Sequence, residues 1–255
     1  MSATGEFRLS ITRALGDQLA VAMTVLTPIP LTAENVSTLD ARGGVYQLYK
    51  DDNLVYIGKA DRSLVDRVGI HHRKISGRAG ISLDQMTFTA IYVDEDLSAV
   101  APETLLIKHH RGQGQLPWNF NGFGNNDPGR ERDTSKIETT HFDSQYPANL
   151  DYICSSVRVG SHTVGEILTS LKAELPYVFR FQDGNKRATL QPPEYWSTTV
   201  AVTTDNPTAD SLFELLAASL PGWQITALPG YVIMYRESRR YASARKVYRQ
   251  SRSGL

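Results

Sequence analysis

Side chains that together could hydrolyse a phosphate ester lie along the first half of the chain. Tyr46 and Tyr56 stand ten residues apart, Arg67 and His71 stand four apart, and Glu103 and Asn119 follow. Phosphodiester hydrolysis needs an activated water, charge neutralisation on a phosphorane-like transition state, and help for the leaving oxygen. Tyr46 is assigned as the general base. An unperturbed tyrosine titrates near pH ~10 and is a poor base at neutral pH, so it needs a partner to take or withhold its proton. His71 and Lys59, which directly follows Gly58, are the candidates. Arg67 offers a forked donor to phosphate oxygens, and Tyr56 can donate to the same group. Glu103 is the one strongly placed carboxylate and is assigned to a divalent metal. A lone carboxylate with several waters suits Mg²⁺, with Mn²⁺ able to substitute. Asn119 is assigned to hold a neighbouring polar group or a phosphate in register.

Elements must bring these residues together. Val45, Tyr46, Leu48 and Tyr49 read as one strand and Leu54 to Ile57 as a second. Asp51-Asp52-Asn53 between them is turn chemistry, so the pair predicts a hairpin with the two tyrosines on adjacent strands. Asp61 or Ser63 can cap a helix running to about Lys74, which puts Arg67 and His71 on one face. The alternation from Thr87 to Val93 predicts a third strand, and a helix starting at Asp96 or Ser98 carries Glu103. The expected fold class is α+β, a three-stranded antiparallel sheet flanked by helices. Upstream, Ile11, Leu15, Leu19, Ala22 and Leu26 form a helical stripe ended by Pro28 and Pro30. Downstream, Thr163 and Glu166 form a capping box before a stripe that stops at Pro176. Strand-like Thr198–Thr204, helix-like Ala209–Leu220 and strands Gln224–Leu228 and Tyr231–Tyr235 make a C-terminal β-α-β-β extension. The expected segments are a helical arm (1–40), a core (41–132), a connecting stretch (133–160) and an α/β extension with a basic tail (161–255).

Composition narrows the classes. Of the 255 residues, 41% are hydrophobic and 21% charged, as in soluble globular proteins. No apolar run is long enough to span a membrane, and no secretory signal is visible, so a cytoplasmic setting is expected. The single cysteine, Cys154, excludes an internal disulfide framework and any multi-cysteine zinc module. Basic and acidic residues balance at 27 each, which argues against a nucleic-acid partner until their distribution is considered. From Arg236 to Arg252 seven basic residues face one acid, Glu237, with Tyr241 and Tyr248 interleaved. That pattern fits either a solvated tail or an arm that tracks phosphates.

Gly44-Val45-Tyr46 and Tyr56-Ile57-Gly58, followed in order by Arg67, His71, Glu103 and Pro117-Trp118-Asn119, resemble the GIY-YIG nuclease superfamily. Trp118-Asn119 with the run from Gly122 to Gly129 looks like its bacterial type II restriction endonucleases of SacII-like specificity. The resemblance covers roughly residues 41 to 130. It implies Mg²⁺-dependent cleavage of double-stranded DNA at a short palindrome, GC-rich such as CCGCGG, by a homodimer. It also implies that Tyr46 is the base, with His71 assisting it. A structure-selective nuclease of repair or recombination and a catalytically silent DNA-binding protein are the alternatives. The stretch between Glu103 and Asn119 is a few residues longer than in that subgroup.

Overall fold

The structure, a computed structural model, describes residues 11–93, 104, 106–107, 116–125, 129–182 and 191–250. Glu103 and most of its expected helix lie outside the described residues, as does Arg252. The chain is a mixed α+β protein with antiparallel sheets and several helices. It divides into two compact units, Met1–His72 with Ser82–Gly124, and Arg73–Ile81 with Asn125–Leu255. The boundary therefore falls at 124/125 rather than at 132/133. The stretch 133–160 is no connector: Phe142, Ala148, Cys154 and Val157 are buried, three of them in the core of the second unit. Among the described residues no helix is long and apolar enough to cross a membrane.

In the first unit, α1 (Ile11–Thr24) precedes the two-residue strand β1 (Ile29–Pro30) and the short helix α2 (Ala33–Ser37), whose N-cap is Thr32. Among the described side chains here, Ala20 and Met23 are buried, Leu19 and Leu26 of the expected stripe pack partly buried against the same cluster, and Val21 and Val25 stay exposed. Strands β2 (Gly44–Lys50), β3 (Asn53–Ala60) and β4 (Met86–Tyr92) form the expected antiparallel trio, which β1 extends to the order β1-β4-β2-β3. Asp51 and Asp52 both take positive φ (47° and 61°), as the tight two-residue hairpin loop whose twist matches its strands requires. The register places Tyr46 opposite Gly58 and Leu48 opposite Tyr56.

Helix α3 (Leu64–Ser76) starts at Ser63, whose hydroxyl accepts from the Asp66 amide at 3.2 Å. It buries Leu64, Val68, His71 and Ile75, a spacing of four, three and four that defines one helical face. His71 thus occupies a position that helical periodicity reserves for an apolar residue.

The second unit adds a short helix α4 (Phe142–Gln145), β5 (Gly160–Thr163), α5 (Val164–Glu174), β6 (Phe179–Arg180), α6 (Glu194–Ser197), β7 (Thr199–Val202), α7 (Ala209–Ser219), β8 (Gln224–Ala227), β9 (Val232–Tyr235) and β10 (Lys246–Arg249). The capping box at Thr163 and Glu166 is formed. One sheet runs β10-β8-β9-β6, with β6 parallel to β9, and β5 pairs with β7. The faces of α5 and α7 fill the core with Ile167, Leu168, Leu171, Leu212, Phe213 and Leu216. The expected β-α-β-β run is β7-α7-β8-β9, embedded in this larger unit.

The basic tail is not a free arm. Its residues Lys246–Arg249 form β10, and Tyr241 and Tyr248 are buried. Lys246 bonds Asp210 at 2.7 Å and Glu214 at 2.9 Å, Arg245 donates to the Ala148 carbonyl, Arg249 donates to Gln224, and Arg236 pairs with Glu194. Of the tail's bases, Arg236 and Lys246 are thus matched by acids, while Arg245 and Arg249 donate to neutral groups.

Two buried carboxylates tie this unit together. Asp133 receives both terminal nitrogens of Arg180, at 3.0 and 3.1 Å, and the Tyr231 hydroxyl at 2.9 Å. Asp143 sits between Arg78, at 2.9 Å, and Arg132. Burial alone would raise the Asp143 pKa, but Arg78, Lys74 and Arg132 more than offset it and hold the carboxyl below its usual range. The unfolded chain therefore binds the extra proton, and this contribution to stability is whole above pH ~4 and lost as pH falls through the folded pKa.

Asp143→Asn leaves Arg78 buried without its counter-charge and should destabilise the protein by about 3–5 kcal/mol in urea melts at neutral pH. The deficit relative to the parent should shrink as the melts are moved to acid. Deleting residues from Arg239 onward should lower the urea midpoint sharply, because it strips β10 from β8 and takes the buried Tyr241 and Tyr248 out of the packing. A midpoint like that of the parent would mean the strand contributes little.

Candidate active site

The pleat of the sheet decides which side chains meet. Successive residues of a strand leave opposite faces, so the observed register sends Tyr46, Leu48, Tyr56 and Gly58 to one side and Val45, Gln47, Ile57 and Lys59 to the other. On the second face Val45 and Ile57 form an apolar cluster with Ala20, Met23, Leu106 and Leu116. The first face meets His71 of α3. Four of the seven expected site residues, Tyr46, Tyr56, Arg67 and His71, come together there.

The Tyr46 hydroxyl lies 2.6 Å from His71 Nε2, with both side chains buried. The Tyr46 and Tyr56 rings are 6.1 Å apart, and the His71 ring is 5.5 Å from one and 5.3 Å from the other. Arg67, half-buried one helical turn before His71, interacts electrostatically with the hydroxyls of both tyrosines. Burial pushes the Tyr46 hydroxyl pKa strongly upward, the neighbouring Tyr56 adds to this, and Arg67 opposes it without cancelling it. The cluster is therefore a neutral phenol held against an imidazole, with one guanidinium beside both hydroxyls.

Gly58 makes room for this arrangement. A Cβ there would stand 2.2 Å from the Tyr46 ring and hydroxyl, closer than any atom can approach. The glycine that closes the second tyrosine-glycine segment thus serves the tyrosine of the first.

Lys59 does not join the cluster. Register puts it opposite Val45 on the far face, and its ammonium pairs with Asp61 at 2.7 Å. Of the two candidate partners, His71 and not Lys59 reaches the Tyr46 hydroxyl.

Asn119 lies in the short 3-10 turn Pro117–Asn119. Its amide oxygen accepts from the Ile57 N–H at 2.9 Å and its amide nitrogen donates to the Ile57 carbonyl at 2.8 Å. Both polar ends are thus used on the outer edge of β3, as a further strand would use them. The polar group that Asn119 holds is backbone, not phosphate. Glu103, the expected metal ligand, is outside the described residues, and among those residues no cluster of three or more His, Cys, Asp or Glu side chains could hold a metal.

Phe123 was not singled out in the sequence. It is buried, stacks on His71 at 4.7 Å and 20°, and meets Tyr56 edge-on at 5.0 Å. Its only sequence signal is a hydrophobic residue inside a glycine- and asparagine-rich loop. Cys154 is distant from this chemistry by its environment: burial pushes its thiol up to about 12, which leaves it protonated and inert.

No family model and no curated protein matches this chain.

Gly58→Ala should displace the Tyr46 ring and destabilise the protein by about 1–3 kcal/mol, the usual penalty of overpacking. Loss of the slowly exchanging Tyr46 hydroxyl proton in NMR spectra would report the broken bond to His71. Full retention of that signal would contradict the steric role of Gly58.

Proposed function

We propose that this protein is a nuclease of the GIY-YIG type that hydrolyses phosphodiester bonds of double-stranded DNA with one divalent metal ion. The observation that carries the proposal is the 2.6 Å contact between the Tyr46 hydroxyl and His71, beside an arginine that reaches both tyrosines. A phenol whose pKa is pushed upward holds no standing negative charge, so Tyr46 works as a relay. Its oxygen takes a proton from the attacking water while its own proton passes to His71 Nε2. That step needs an unprotonated Nε2, so the neutral His71 tautomer with its proton on Nδ1 is the active one. Arg67 neutralises charge growing on the phosphoryl oxygens, and Tyr56 donates to the same group.

The cluster itself offers a cation no anionic ligand, since Arg67 repels one and Tyr46 keeps its proton. Glu103 is the residue that would hold Mg²⁺ or Mn²⁺, and the ion would supply Lewis-acid stabilisation of the phosphoryl group and the leaving oxygen. Site-specific cutting by a homodimer, in the manner of a type II restriction enzyme, is the form of the activity we favour. It rests on the motif order around Tyr46, Tyr56, Arg67, His71 and Asn119.

Incubation with a mixed-sequence plasmid and Mg²⁺ should give discrete fragments. A smear, or cutting confined to branched DNA, would indicate a structure-selective enzyme, and untouched DNA would refute the nuclease reading. Glu103→Ala should abolish cutting while DNA binding persists. Tyr46→Phe should slow single-turnover cleavage by about 10²–10⁴-fold, more than Tyr56→Phe does. Equal losses in the two tyrosine variants would remove the relay from Tyr46.

A further inference from the structure

The segment from Leu116 to Gly124 wraps the outer edge of the sheet and is anchored at three levels. Leu116 is buried with Val45 and Ile57 on the apolar face. Asn119 pairs with both backbone groups of Ile57 on the edge of β3. Phe123 and Gly124 arrive on the opposite face, among Tyr56 and His71. Leu116 takes φ 77° directly before Pro117, a left-handed conformation that a leucine adopts only when its surroundings over-determine it. Trp118 backs Phe123 at 4.8 Å. Gly124 approaches so closely that a Cβ there would lie 2.6 Å from the Tyr56 hydroxyl.

From this geometry we infer that Phe123 is the positioning residue of the site: its ring, stacked on His71 and edge-on to Tyr56, fixes the imidazole so that Nε2 faces the Tyr46 hydroxyl. The physical basis is specific. An imidazole on a helix can turn about two side-chain bonds, and the helix alone does not choose which ring edge faces the sheet. A flat ring nearly parallel to it at 4.7 Å restricts the rotation, and the edge contact with Tyr56 sets the imidazole and the Tyr56 ring against the same wall. The aromatic wall comes from a loop rather than from the helix or hairpin, so the loop sets the chemistry without touching substrate.

The inference rests on reading Tyr46 and His71 as the proton relay, and its test has a readout that needs no activity. Phe123→Leu keeps most of the volume and removes the flat face, and Phe123→Tyr keeps the face. In ¹⁵N-edited NMR of the full chain, the parent and Phe123→Tyr should each show one fixed His71 tautomer with Nε2 hydrogen-bonded. Phe123→Leu should show averaged ring nitrogens and a loosened contact to Tyr46. Single-turnover cleavage should fall about 10–10²-fold in Phe123→Leu with DNA affinity unchanged, as displacement of a reacting group by about an ångström does. It should be restored in Phe123→Tyr. An unchanged His71 nitrogen spectrum in a folded Phe123→Leu protein would overturn the inference. So would failure of Phe123→Tyr to keep the fixed tautomer. If the spectra behave as expected but no variant or parent cuts DNA, the positioning role stands and the nuclease reading falls.

Discussion

The pairing of β2 with β3 is the constraint on which the candidate site depends. Asp51 and Asp52 close the hairpin in two residues, both at positive φ, and a one-residue shift of pairing between Leu48 and Tyr49 then sets the register that holds Tyr46 opposite Gly58. In that register Tyr46 and Tyr56 share a face, Gly58 underlies Tyr46, and Lys59 is turned away. A slip of one residue would send a tyrosine into the apolar face with Val45 and Ile57. The apolar packing of Ile57 and Val45 on α1 and Leu116 makes such a slip costly, so the same contacts that build the core also aim the tyrosines.

Burial then sets the electrostatic character of the cluster. A phenol removed from water keeps its proton, and the adjacent guanidinium lowers the penalty without reversing it. The result is a polar group whose hydrogen bond to an imidazole is strong because solvent does not compete for it. His71 occupies a helical position flanked by Val68 and Ile75, where a valine or leucine would satisfy the helix equally well. Its imidazole there meets the Tyr46 hydroxyl at 2.6 Å, a contact no valine or leucine could make.

The second unit handles charge in another way. Composition shows equal numbers of acids and bases, and the tail concentrates the bases. Folding gives two of the tail's bases acidic partners, Lys246 with Asp210 and Glu214 and Arg236 with Glu194, and pairs Arg180 with Asp133 and Arg78 and Arg132 with Asp143 elsewhere in the unit. Of these pairs Arg78–Asp143 is deeply buried on both sides, where an ion pair gives geometric specificity more than net stability. A run of basic residues is therefore a poor guide to a nucleic-acid surface when the acids that match it lie far away in sequence.

Local chemistry made much of this protein legible. The hairpin, the capped helix with Arg67 and His71 on one face, the third strand and the Thr163–Glu166 cap all follow from short-range rules of periodicity, turn residues and capping, which act over a few residues. What depended on long-range pairing was not. Lys59 is adjacent in sequence to Gly58 but opposite in space, because the pleat alternates. Asn119 has the composition of a ligand and the geometry of a strand partner, since its amide matches the Ile57 backbone 62 residues away. The buried arginine-carboxylate pairs, the strand hidden in the basic tail and the ring of Phe123 against His71 share that origin. Sequence spacing determined which chemistry could be assembled; only the tertiary structure decided which of those groups face one another, because facing is a property of register and packing rather than of order along the chain.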